Sequence, residues 1–259
     1  MSNAVLVQRD GAIATVVLNR QGRLNALSQA SWAELGARMR ELSADENLRC
    51  VIVRGAGTKA FAAGADITEF PEVRANSGQG RTYGELIDAA MTAIAECRHP
   101  TVAMIHGVCV GGGLELALAC DLRICGETSR FGIPINRLGL TMGYGELIGL
   151  IAVVGPAIAL EILLEGRIFD AREAGAKGLV HRVVADRRVE DEVNETARRI
   201  AAGAPLVARW HKRFIRRLSA MPRLSDDEWA EGYACFDSAD FREGLAAFLA
   251  RREPHFHGR

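Results

Sequence analysis

An excess of charge of either sign, paired-cysteine spacings and an apolar leader are all missing from this chain of 259 residues. Lys plus Arg number 32 and Asp plus Glu number 32, so the formal net charge is zero. A nucleic-acid-binding domain ordinarily carries a strongly basic balance, so no nucleic-acid partner is expected. Lysine is scarce, confined to Lys59, Lys177 and Lys212, and the arginine bias that results has no functional content. The cysteines (Cys50, Cys97, Cys109, Cys120, Cys125 and Cys235) form no Cys-x-x-Cys pair, and no Cys/His cluster has zinc-ligand spacing. No metal is therefore expected. Set mostly among apolar neighbours, these cysteines read as buried free thiols of a reducing cytoplasm. Residues 1–10 lack the basic stretch and apolar core of a signal peptide, which also points to a cytoplasmic protein. No Lys-Ser/Thr follows Gly111–Gly113, and Ile148 stands where a third glycine would complete Gly143-Tyr144-Gly145. No Gly-x-Ser-x-Gly elbow occurs. A P-loop, a nicotinamide or flavin site and a serine hydrolase are disfavoured in turn.

What is present suits a packed soluble domain. Hydrophobic residues make up 49% and charged residues 25%, and a chain of this length buries roughly 70% of its unfolded surface. The most apolar run, 147–164, has nearly the length of a membrane span. Gly155-Pro156 interrupts it and Glu161 lies within it, so the pattern predicts two buried helices joined at Gly155 and no membrane partner. β-Branched runs predict strands over 12–18, 50–54, 101–105 and 122–125. Ser28 caps a predicted helix with apolar positions Trp32, Leu35, Met39 and Leu42. Further helices are predicted over 81–97, 114–120, 171–176, 189–202, 206–218 and 226–251, with a strand over 179–184. The stretch 76–80 reads as a mobile loop. Strand–helix alternation followed by a helical tail predicts an α/β core with a C-terminal helical segment. No tandem repeat is visible.

Two constellations carry chemistry. In Phe61-Ala62-Ala63-Gly64-Ala65-Asp66-Ile67, small residues let a bulky group approach the backbone; the plainer reading is a tight turn capped by Asp66. In 106–115, Gly111-Gly112-Gly113 opens a helix whose free N–H groups and dipole suit an anion or a developing oxyanion. Glu115 follows in the first turn, either as a general acid/base or as a complement to the helix dipole. Glu146, at the predicted start of a helix over 146–154, has the same two readings. His106 reads as a structural histidine.

In this order the constellations resemble the crotonase (enoyl-CoA hydratase/isomerase) superfamily. The resemblance is carried by Asn25-Ala26-Leu27, Lys59-Ala60-Phe61-Ala62-Ala63-Gly64-Ala65-Asp66 and Gly111-Gly112-Gly113-Leu114-Glu115-Leu116. Cys120-Asp121-Leu122-Arg123-Ile124, Phe131-Gly132-Ile133-Pro134 and Ala174-Gly175-Ala176-Lys177-Gly178-Leu179-Val180 extend it over nearly the whole chain. It implies a spiral of β-β-α units over 1–200 that binds acyl-CoA, and a helical oligomerisation region over 201–259 that builds a homotrimer or homohexamer. It implies an acyl-CoA thioester as substrate, with coenzyme A the only cofactor-like group. By position, the N–H groups of Ala65 and Gly112 form an oxyanion hole, and Ala63, Ala65, Asp66, Ile67, Thr68 and Gly112 line the CoA channel. Arg20, Arg23, Arg251 and Arg252 are candidate counter-charges for the CoA phosphates, and 69–83 with the surroundings of Met142 candidate acyl-pocket walls. Glu115 matches the first catalytic glutamate of the family's hydratases. The second falls at position 135, which is Ile135, a residue that neither holds water nor moves a proton. Three activities follow. In one, a hydratase or isomerase works with Glu115 and a substitute group: Glu146, or less well Tyr144 or Asn136. In another, the enolate serves decarboxylation or thioester hydrolysis. In the third, the chain binds acyl-CoA without catalysis. The first is preferred, because Glu115 is retained beside an intact glycine run.

Overall fold

The structure, a computed structural model, describes residues 4–220, 225, 227 and 237–259. Strands β1 (Val5–Asp10) and β2 (Ile13–Leu18) form an antiparallel hairpin that turns at Gly11, whose φ of 55° suits glycine. The first of these strands is absent from the sequence reading. From β2 onward the pairing is parallel. β3 (Cys50–Gly55), β5 (Thr101–Ile105), β7 (Leu122–Gly126) and β10 (Arg182–Val184) complete a six-stranded sheet in the order β1-β2-β3-β5-β7-β10. A parallel sheet is covered on both faces, and alternate residues divide accordingly. Val51, Val53, Ala103 and Ile105 join the main core, whereas Cys50, Ile52, Val102 and Met104 pack on Val189, Val193 and Ala197.

A second sheet is built from short pieces: β4 (Ala60–Ala62), β6 (Val108–Val110), β8 (Arg130–Gly132) and β9 (Phe169–Asp170), in that order. The pairs β3/β4, β5/β6 and β7/β8 each give one strand to either sheet before the chain turns into helix. These are the β-β-α turns of the expected spiral. Their repetition is invisible as sequence similarity.

The helices follow their apolar stripes. Helix α1 (Gln29–Ala44) is capped by Ser28, whose side chain accepts from the Ser31 N–H at 3.2 Å. It buries Trp32, Leu35, Met39 and Leu42, each such side chain contributing about 1.5–3 kcal/mol. After the short α2 (Phe70–Val73), α3 (Ser77–Ala95) begins earlier than predicted. Asn76 accepts from the Gln79 N–H at 3.0 Å, and the Gln79 side chain accepts from the Ala75 N–H at 2.8 Å. That reciprocal cap makes 77–80 the first helical turn, not a mobile loop. Helix α4 (Gly112–Ala119) leaves β6 directly.

The apolar run forms α5 (Tyr144–Glu165), broken at Gly155 (φ 73°, ψ 168°) with Pro156 opening the second segment, as expected. Its predicted burial is not found. Leu150, Ala159 and Ile162 are buried, but Ile148 and Leu164 are 69% and 74% exposed. By length and composition the run matches a membrane span; the Gly155 break divides it. Helices α6 (Ala171–Ala176), α7 (Val189–Ala202) and α8 (Pro205–Ala220) fall close to their predicted positions. At the end of α6, Gly178 (φ 77°) donates to Gly175 O and Leu179 donates to Ala174 O, a Schellman closure. That closure takes up Leu179 and delays the strand predicted over 179–184 until Arg182. Of the helix predicted over 226–251, the segment Ala239–Ala250 is helical. Residues 226 and 228–236, with Cys235, lie outside the described residues.

Candidate active site

The first constellation is clamped from the N-terminal side. Leu27 donates its N–H to Gly64 O, and Asp66 donates its own to Leu27 O, both at 2.8 Å. Asn25, buried and at φ 57°, donates its amide to Ala60 O at 2.8 Å and Ala56 O at 3.1 Å. Arg20 donates to Ala26 O at 2.6 Å and pairs with Asp66 at 2.8 Å. Asp66 also accepts from the Thr68 hydroxyl at 2.6 Å. The Thr68 hydroxyl first, and Arg20 after it, hold the Asp66 carboxyl below its usual range. Asp66 thus acts as the cap and anchor of the turn. No carbonyl among the described residues accepts the Ala65 N–H.

The second constellation closes on the first. Gly112 is the first residue of α4, so its N–H has no intrahelical acceptor. The glycines are needed for contact between the two segments. A Cβ on Gly113 would lie 2.2 Å from Ala62 O, and one on Gly64 (φ 95°) would lie 3.3 Å from the Gly112 N. The ring of Trp32 sits under Gly112, 3.1 Å from where its Cβ would be.

Both segments border one cavity of about 100 Å³. Ala63, Ala65, Ile67, Gly112, Glu115 and Glu146 all line it, as do Phe70 and Met142 from the expected pocket walls. Ile135 lines it too and adds no polar group. Asp66, Thr68 and His106 are not among the residues that line it. Of the substitutes considered for position 135, Tyr144 is 89% exposed, and Asn136 donates its amide to Leu164 O at 3.0 Å. Neither borders the cavity, and Glu146 does. The possible phosphate partners divide as well: Arg20 is occupied with Asp66, Arg252 pairs with Glu243 at 2.6 Å, and Arg23 and Arg251 are exposed.

Glu115 is buried, and its carboxyl is raised well above the usual carboxylate range. Loss of solvent is the largest cause; the charge of Glu146 and a hydrogen bond shared with it add to the effect. The Gly143 N–H donates to one Glu146 oxygen at 2.5 Å, which fixes that side chain at the head of α5. Arg74 also borders the cavity and opposes the rise at Glu115. Sequence reasoning named its stretch as pocket wall but missed the residue. The two rings that hold it, Phe70 at 4.8 Å and Tyr83 at 4.9 Å, come together only in the fold.

Residues 8–259 match the family model described as enoyl-CoA hydratase/isomerase. The chain is 32% identical to the short-chain-enoyl-CoA hydratase of Clostridium acetobutylicum, over 97% of this chain and 96% of that one. It is also 32% identical to a carnitinyl-CoA dehydratase of Escherichia coli, over the whole of both chains (100% each). Among solved structures, an enoyl-CoA hydratase/carnithine racemase from Magnetospirillum magneticum superposes with a TM-score of 0.98 at 50% identity, over 100% of this chain and 97% of that one.

Proposed function

The chain belongs to the enoyl-CoA hydratase/isomerase family, and we propose that it adds water to, or removes it across, the α,β double bond of an acyl-CoA thioester. The carrying observation is that Glu115 and Glu146 border the same cavity, close enough for the charge of Glu146 to add to the rise of the Glu115 carboxyl. Two carboxyls therefore serve one site, although Ile135 occupies the position of the family's second glutamate.

The chemistry follows from that pair. The thioester oxygen lies against the N–H groups of Ala65 and Gly112, which receive the charge that develops when a nucleophile reaches the β-carbon. Preorganised donors of this kind contribute about 3–4 kcal/mol each to the transition state. Glu146 holds the water and takes its proton as the hydroxyl bonds to the β-carbon. Glu115, whose carboxyl burial raises well above the usual carboxylate range, delivers its own proton to the α-carbon. The hydrogen bond between the two carboxyls then returns a proton to Glu115, so the balance is one water added and no net proton. Residues 63–68 carry the pantetheine arm, and no cofactor beyond the coenzyme A of the substrate takes part. The exposed apolar face of α5 fits a homotrimer or homohexamer, and a cytoplasmic location suits the buried thiols.

The test is turnover of crotonyl-CoA by Glu115→Gln and Glu146→Gln. Each should fall by about 10²–10⁴-fold while affinity for the thioester is kept. Wild-type rates in either variant would dismiss the two-carboxyl mechanism. Double-bond isomerisation is the second reading, favoured by Ile135: it moves one proton between two carbons, so Glu115 alone suffices, its ionised form taking the proton from one carbon and returning it to the other. Loss of turnover in Glu115→Gln with none in Glu146→Gln would select it. Affinity without turnover across a panel of enoyl-CoA esters would leave a binding protein only.

A further inference from the structure

Among the described residues Arg74 is the one cation on the cavity wall, beside apolar side chains such as Ile67, Leu140 and Met142. Its guanidinium is stacked against Phe70 and Tyr83, and no carboxylate or carbonyl among the described residues accepts a hydrogen bond from it. Most arginines here that approach carboxylates are paired, as Arg20 is with Asp66 and Arg182 with Glu192. Arg74 is half-buried, so bound substrate decides what its donors meet. A purely aliphatic acyl group filling the cavity would strip water from the guanidinium and give it no acceptor, which is unfavourable. A carboxylate at the far end of the acyl group would take two of its five donors in the bidentate geometry that arginine favours. The aromatic rings hold the guanidinium plane in place beforehand, so little side-chain freedom is lost on binding.

We propose that Arg74 is a specificity determinant that selects acyl-CoA thioesters carrying a carboxylate on the acyl chain. The inference rests on the reading that the cavity holds an enoyl thioester. The phosphates of coenzyme A are the other anionic source. They are present in every CoA ester, so a comparison of two esters separates them from the acyl carboxylate.

The experiment measures kcat/KM and equilibrium affinity for crotonyl-CoA and for its carboxylated counterpart, glutaconyl-CoA, in the wild type and in Arg74→Gln and Arg74→Lys. The wild type should favour glutaconyl-CoA. Arg74→Gln should lower the ratio of glutaconyl-CoA to crotonyl-CoA on the order of 10- to 100-fold, and Arg74→Lys should fall between, since it keeps charge without the planar fork. A wild type that prefers crotonyl-CoA, or an Arg74→Gln protein in which both esters fall together, would overturn the proposal; the second outcome would assign Arg74 to the phosphates or to the carboxyl pair. If the wild type binds both esters and turns over neither, the catalytic reading fails instead. The ratio of the two affinities in wild type and Arg74→Gln then still decides for or against the carboxylate contact. Should Arg74→Gln not fold, Arg74→Lys gives the same ratio to judge.

Discussion

Burial raises the Glu115 carboxyl because its ionised form would lose water and meet Glu146, with only Arg74 pulling the other way. A carboxyl whose folded pKa lies above its unfolded value contributes fully to stability only below that unfolded value, here 4.5. The contribution is lost as pH rises through the folded pKa, because the folded state then binds more protons than the unfolded chain. Glu115 therefore costs stability at neutral pH. Glu115→Gln keeps the shape without the titration, so it should be more stable than wild type near pH 7 by on the order of 1 kcal/mol, about 2–4 °C in Tm. The advantage should shrink toward pH 4.5. Thermal melts across that range check it, and a Gln variant that melts below wild type at neutral pH would show a favourably solvated carboxylate instead. At this scale the sequence reads well where main-chain geometry dictates the residue. Gly113 cannot carry a side chain because of Ala62 O, and that necessity is visible as a glycine run. Glu146 is ambiguous in the sequence for a physical reason: it takes the Gly143 N–H as any first-turn glutamate would and faces Glu115 as well. Arg74 has no such signature, since an arginine in a polar stretch looks solvated until its two aromatic neighbours are placed.

Elements long enough to show a period are legible, and those too short are not. The stripe of Trp32, Leu35, Met39 and Leu42 predicts α1 and its buried face. By contrast β4, β6 and β8 have three residues each, fewer than any alternation needs to declare itself, so the second sheet is missed although it carries both oxyanion segments. The start of α3 is misread because Ser77, Gly78 and Gly80 are weak helix formers; the Asn76–Gln79 cap outweighs their propensity. The join between β4 and α4 is the most constrained contact of the site. Gly113→Ala would drive a methyl into Ala62 O at 2.2 Å, so α4 must move away from β4 and carry Gly112 with it. The expected outcome is a loss of about 1–3 kcal/mol in stability together with a fall in kcat larger than that in thioester affinity, because the displaced N–H serves the transition state more than the ground state. Chemical denaturation and steady-state kinetics on the same preparation check both, and unaltered kcat would mean that Gly112 is not an oxyanion donor.

At the scale of the whole molecule, α5 presents apolar side chains that the packing of the described residues leaves uncovered. Ile148, Ile151, Leu160 and Leu164 of α5 are exposed together with Leu138 just before it. Burying such side chains is worth about 1.5–3 kcal/mol each, and apolar side chains exposed in number on one element favour association. The apolar run therefore predicts the helix and its Gly155 break but not its exposure, since only Leu150, Ala159 and Ile162 are buried by the chain itself. Assembly through this helix would couple to the chemistry: Glu146 stands in its first turn, and Leu138 borders the cavity. A copy seated on α5 would hold Glu146 against Glu115, whereas a lone chain would leave the helix free to shift. The wild type should therefore run at three or six times its 28.0 kDa chain mass. Leu160→Glu with Leu164→Glu places charge on the second half of α5, beyond the Gly155 break and away from the cavity. That pair should shift the mass measured by light scattering toward the single chain and lower kcat, because Glu146 loses its support. A wild type that runs at 28.0 kDa would remove the interface, and a dissociated variant with full kcat would separate assembly from the carboxyl pair.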